Sequence, residues 1–144
     1  MKKLFTIALI ILAVLFVSEM LGRSNVSLHL KNLSSSARKR FSNFLDEIKE
    51  LGYTIVIRDS LRSFEEQKYY YDKDHRNAKA GSSDHEIGNA LDFDLYKGKM
   101  VLSKKTPKQI WINTGVPELA KKYGLSWGGN FKGYADNNHF YYRA

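Results

Sequence analysis

The apolar residues of this chain are distributed very unevenly. After Met1-Lys2-Lys3 comes an unbroken apolar run, Leu4 to Val17, closed by Ser18 and Glu19. A short basic start ahead of such a run predicts a signal peptide or a membrane anchor over residues 1–22. The run is shorter than the ~20 apolar residues that span a bilayer comfortably. Small residues at the usual cleavage spacing are also missing, so cleavage and retention both stay open. Uniform apolarity behind two lysines argues against a buried core helix. In either case the rest of the chain is expected outside the cytoplasm, periplasmic or secreted. Residues 23–35 turn polar and serine-rich and read as a linker, which leaves 36–144 as the folded domain.

Within that domain the pattern changes from period to period. Ser36 fits an N-cap, and Phe41, Phe44, Leu45, Ile48 and Leu51 follow helical spacing until Gly52 stops them. Tyr53 to Arg58 is β-branched and aromatic and predicts a strand. Ser63 with Glu66 three residues later is a capping box, so a second helix starts there; it carries Gln67 and Tyr69 to Tyr71. Asp72 to Ser83 reads as a loop. Ala90 to Leu95 predicts a strand that turns through Lys97-Gly98-Lys99 into another at Met100 to Leu102. Two short helices follow, one with Pro107 at its favoured first position and one opened by Pro117 and stopped by Gly124. An aromatic strand, His139 to Tyr142, ends the chain. Helices leading and short strands following predict a small α+β domain on an antiparallel sheet with flanking helices.

Composition narrows the chemistry. With no cysteine, disulfides and thiolate metal sites are excluded, so any metal must be held by histidine and carboxylate. About 120 residues from Asn25 on are enough for one compact domain. The net charge of +8, from 23 Lys and Arg against 15 Asp and Glu, favours polyanionic partners. Export makes anionic lipid or anionic cell-wall polymer the fitting partner and excludes nucleic acid. The basic residues are scattered, and pairs such as Lys104-Lys105 read as solvated faces.

The segment Ser83-Asp84-His85-Glu86-Ile87-Gly88-Asn89-Ala90-Leu91-Asp92 carries the most chemical information. Alternation along the strand puts Ala90, Asp92 and Asp94 on one face and apolar Leu91, Phe93 and Leu95 on the other. Asp92 therefore points out of the sheet toward the loop bearing His85, where an imidazole and a carboxylate can share a zinc ion at about 2.0–2.2 Å. A third ligand must come from elsewhere, and the chain holds four histidines: His29, His75, His85 and His139. His139 is fixed by the strand it opens, and Asp136, three residues earlier, sits where a general base for an activated water belongs. His29 and His75 are read as carrying no function.

Ser-x-His-x-x-Gly-x-Ala-x-Asp, followed far downstream by Asp-x-x-His, resembles the zinc peptidases of bacterial peptidoglycan. That family includes D-alanyl-D-alanine carboxypeptidases and L-alanyl-D-glutamate endopeptidases, many of the latter phage endolysins. The likeness runs from about Tyr53 to Tyr142. It implies that His85, Asp92 and His139 bind Zn2+, with Asp136 as catalytic base. Arg62-Ser63-Phe64-Glu65-Glu66-Gln67 resembles a further family feature, which implies that Arg62 binds substrate or stabilises the oxyanion and that Gln67 assists. The family usually has glycine two residues before this arginine, and this chain has Ser60. Trp127-Gly128-Gly129-Asn130-Phe131 ahead of Asp136 resembles the endopeptidase branch. The implied activity is cleavage of peptidoglycan peptide stems between L-alanine and D-glutamate. The alternatives are a D-alanyl-D-alanine carboxypeptidase and a non-catalytic wall-binding module of the same fold.

Overall fold

The computed structural model describes the backbone of residues 2–144; within the first helix, side chains are described at 7, 9–14, 16, 17, 20 and 25–31. That helix, α1, spans Lys2–Lys31. It continues through most of the serine-rich stretch read as a linker, because Val26 on one face packs into the core and Leu30 lies against it. Part of the apolar run expected to act as signal or anchor lies outside the described side chains. Its described members, Ile10, Leu12 and Phe16 among them, are exposed. Among the described residues no helix is long and apolar enough to cross a membrane.

The second helix, α2 (Ser35–Glu50), is capped by Ser34, whose side chain accepts from Ala37 N. The cap falls two residues before the expected Ser36 for a tertiary reason. Ser34 Oγ also donates to Asn89 Oδ1 at 2.6 Å, and Ser34 N donates to the Gly88 carbonyl at 2.9 Å. Three serines in a row are locally equivalent as caps, and the contact with the 88–89 turn selects among them. Then come β1 (Thr54–Asp59), α3 (Phe64–Lys73), β2 (Ala90–Lys97), β3 (Met100–Leu102), α4 (Lys108–Asn113), α5 (Val116–Lys122), β4 (Ser126–Trp127) and β5 (His139–Tyr141). The capping box forms as the sequence predicts, with Ser63 and Glu66 bonded reciprocally. Pro107 is the N-cap of α4 rather than its first residue.

The strands make one antiparallel sheet in the order β1-β2-β5-β4, with β3 also on β2. Leu91, Phe93, Leu95 and Phe140 turn to the face that α2 covers with Phe41, Phe44, Leu45 and Ile48, and all eight are fully buried. Phe93 stacks on Phe140 at 4.9 Å between centroids, and Phe44 meets Phe93 edge-on at 6.2 Å. Each such ring withdrawn from water contributes on the order of 1.5–3 kcal/mol, so this layer holds the sheet rigid. The opposite face of the same strands is left for polar groups. The outcome is the expected small α+β domain.

Candidate metal centre and cleft

Register brings the first two metal-ligand candidates together. Asp92 on β2 is paired directly with His139 on β5, and on its other side with Asp59 on β1. Directly opposed residues have Cβ atoms about 4.5–5.5 Å apart, and His139 Nδ1 lies 2.7 Å from Asp92 Oδ1. His85 arrives from the loop preceding β2. Its Nε2 is 3.2 Å from Asp92 Oδ1 and 3.2 Å from His139 Nδ1.

Two further contacts fix His85. Its Nδ1 lies 2.6 Å from the Ser60 carbonyl. A carbonyl can only accept, so Nδ1 carries a proton, and Nε2 is the ring nitrogen that faces Asp92 and His139. The backbone is held as well, with Arg62 N donating to the His85 carbonyl at 3.1 Å. Gly88 then turns the chain toward β2 with φ +67; a Cβ there would stand 2.9 Å from Ser34 N. Burial by itself would lower the pKa of His85, but the Asp92 carboxylate, by its charge and its hydrogen bond, holds it above the ordinary value. Burial would likewise raise Asp92, yet His85 and His139 together keep its carboxyl far below the usual range.

Among the described residues these three are the group of His, Cys, Asp and Glu whose donor atoms converge, all within 4.8 Å of one another. Two imidazole nitrogens and a carboxylate oxygen match a catalytic zinc site, which takes three protein ligands and keeps a position open. Ligands about 2.0–2.1 Å from a tetrahedral ion stand roughly 3.3 Å apart, close to both distances from His85 Nε2. The donor set fits the metal.

Asp136 lines the same cleft. Its Oδ2 accepts from Lys104 Nζ at 3.1 Å, while its Oδ1 is buried with no hydrogen-bond partner. A buried carboxylate oxygen left unpaired is costly. Its position depends on Gly128, whose carbonyl accepts from Asp136 N at 3.0 Å. A Cβ on Gly128 would meet the Asp136 carbonyl at 2.7 Å and the His139 Cβ at 3.0 Å.

Arg62 is held from behind. Nη1 donates to Gln67 Oε1 at 2.6 Å, Nε donates to Asp59 Oδ2 at 3.1 Å, and Nη2 is also bonded to Asp59. The guanidinium lies 4.6 Å from the Tyr70 ring centroid. Gln67, fully buried, donates onward to the Ala78 carbonyl at 2.5 Å. Asp94 is buried and bonded to Arg58 and Asn138, away from the converging donors. His75 stacks on Tyr71 outside the site.

The cleft, about 320 Å³, is also lined by Arg58, Arg76, Lys104, Tyr134 and Arg143. None of these was singled out from sequence. They come from β1, three loops and the C-terminus, and no local spacing relates them. Lys104, an exposed residue, pairs with Asp136 at 3.1 Å and has its ammonium 5.6 Å from the Tyr134 ring centroid, so it serves the cleft as well as the solvated face. Burial would lower its pKa, but the Asp136 charge outweighs that and raises it.

Residues 76–142 match the family model described as D-alanyl-D-alanine carboxypeptidase, so the resemblance read from the motifs is borne out there. The chain is 32% identical over 102 residues to the peptidoglycan L-alanyl-D-glutamate endopeptidase CwlK of Bacillus subtilis, a match covering 61% of this chain and 60% of that protein. It is 31% identical over 126 residues to the L-alanyl-D-glutamate peptidase of Listeria phage A118, covering 81% of this chain and 38% of that one. The chain thus spans less than two thirds of the length of either relative. In fold it is similar to the Serratia marcescens L-Ala D-Glu endopeptidase ChiX, with a TM-score of 0.62 at 19% identity, over 83% of this chain and 86% of that one.

Proposed function

We propose, from the relationship of residues 76–142 to the D-alanyl-D-alanine carboxypeptidase family, that this chain is a zinc peptidase acting on peptidoglycan stem peptides. The observation that carries the reading is one cleft holding both a His-Asp-His donor set and a buried carboxylate oxygen without a partner. His85, Asp92 and His139 hold Zn2+. The bound ion supplies Lewis-acid polarisation and acidifies water from ~15.7 toward ~7.

Asp136 Oδ1 accepts the proton of the attacking water and returns it to the leaving amine. Lys104 anchors Oδ2, which aims the carboxylate. Arg62, clamped by Asp59 and Gln67, presents fixed positive charge to the oxyanion that develops on the scissile carbonyl. Holding the guanidinium before substrate arrives removes the reorganisation it would otherwise need.

The bond favoured is that between L-alanine and D-glutamate. The relatives named as L-alanyl-D-glutamate peptidases support it, as does the Asp-Asn-Asn-His sequence at Asp136 to His139. The carboxypeptidase reading is kept alive by the description of the family model itself. Digestion of purified peptidoglycan followed by identification of the new termini separates them. New N-terminal D-glutamate is expected, and release of terminal D-alanine from otherwise intact stems would overturn the endopeptidase assignment.

The substrate places the enzyme outside the cytoplasm, exported or tethered to the membrane by residues 1–22, with anionic wall polymers as a second partner for the +8 charge. Mass spectrometry of the N-terminus from the native host distinguishes a cleaved from a retained segment.

A further inference from the structure

His29 lies on α1, 31 residues away in sequence from Ser60, yet its Nδ1 is 2.7 Å from Ser60 Oγ. Ser60 is buried. Its carbonyl is the acceptor that orients the His85 ring, at 2.6 Å. The same short turn, residues 59–62, fixes the His85 backbone through Arg62 N and the Arg62 guanidinium through Asp59. Ser60 N is in turn held by Asp59 Oδ1 at 2.8 Å. One turn thus sets both a metal-ligand candidate and the cationic group of the cleft. The register of β1 on β2 shifts between Ile57 and Asp59, and the ladder ends at the Asp59–Asp92 pair, so it does not reach Ser60. α3 reaches the Arg62 end of the turn through Gln67, and α1 reaches Ser60 itself through His29.

We propose that His29 is a positioning residue for the metal centre. Through the Ser60 hydroxyl it fixes the carbonyl that aims His85 Nε2, and this makes the C-terminal part of α1 a working part of the peptidase. The inference rests on the zinc reading above. Groups that orient a metal-bound histidine typically change metal affinity 10–100-fold when removed. His29 acts one bond further out, so a smaller effect follows.

The test is zinc affinity in the full chain, measured by competition with a chromogenic chelator, alongside thermal unfolding. His29→Ala is expected to weaken zinc binding about 3–10-fold. Ser60→Ala should cost about the same, and the double variant should cost no more than either single one. His29→Asn, whose amide can occupy the Nδ1 position, should restore most of the affinity; it also serves if His29→Ala folds poorly. Unchanged affinity in His29→Ala, or fully additive losses in the double variant, would overturn the proposal. Failure of the wild-type chain to bind zinc at all would instead remove the zinc reading itself, so the two failures are distinguishable.

Discussion

At the scale of single residues, the assigned roles separate by what each substitution leaves behind. Asp136→Asn keeps the shape and removes the base. Zinc should stay bound, and kcat on peptidoglycan fragments should fall about 10²–10⁴-fold, the range general-base catalysis supplies. Unchanged kcat with zinc retained would exclude Asp136 as the base. His85→Ala removes a donor and should lose metal and activity together, by elemental analysis and wall-lysis assay. His75→Ala should change neither, since its ring stacks on Tyr71 away from the cleft; loss of zinc there would contradict the ligand assignment. Some of this is legible in the sequence alone. The seven-residue step from His85 to Asp92 and strand alternation place a carboxylate facing the loop. Lys104, Arg76 and Arg143 are not legible there, because only tertiary folding brings those loops and the C-terminus to the cleft.

At the scale of elements, the local signals are reliable and the tertiary ones are not. The box at Ser63 and Glu66 involves four consecutive residues, and it forms as read. The cap of α2 is decided by contacts with Gly88 and Asn89, more than fifty positions away. The extension of α1 through residues 23–31 follows from burying Val26 against the core, which polar composition conceals. The glycine pair after β4 shows a related limit. Sequence gives Gly128 only as part of a family-like stretch, whereas the structure gives it a spatial reason: an added Cβ would meet the Asp136 carbonyl at 2.7 Å and the His139 Cβ at 3.0 Å. Gly128→Ala should therefore destabilise the fold by about 1–3 kcal/mol, as overpacking does. It should also reduce kcat in protein that remains folded, because both neighbours it displaces line the cleft. Thermal unfolding together with single-temperature kinetics checks it; a stable, fully active variant would show that the loop yields without moving Asp136.

At the scale of the molecule, metal and fold are coupled through protons. Zinc that binds the folded chain and not the unfolded one stabilises it by about 2.7 kcal/mol at a hundred times its Kd. For a domain of this size that corresponds to roughly 10 °C in Tm. The sign of its pH dependence follows from His85. Without metal, Asp92 holds the His85 pKa above its ordinary value. That interaction stabilises the metal-free fold fully below the unfolded histidine value of about 6.5 and is lost as pH rises through the folded one. Asp92, depressed, contributes above its unfolded value of about 3.9 and not at stronger acidity. The metal-free protein thus gains most from the pair between these limits, the window in which a proton competes with zinc for His85 Nε2. The gap in Tm between zinc-loaded and chelator-treated protein should widen steadily from pH 5.5 to pH 8 at fixed free zinc. A gap that stayed constant over that range would mean that no proton leaves the site when the metal enters, and His85 could not then be a ligand.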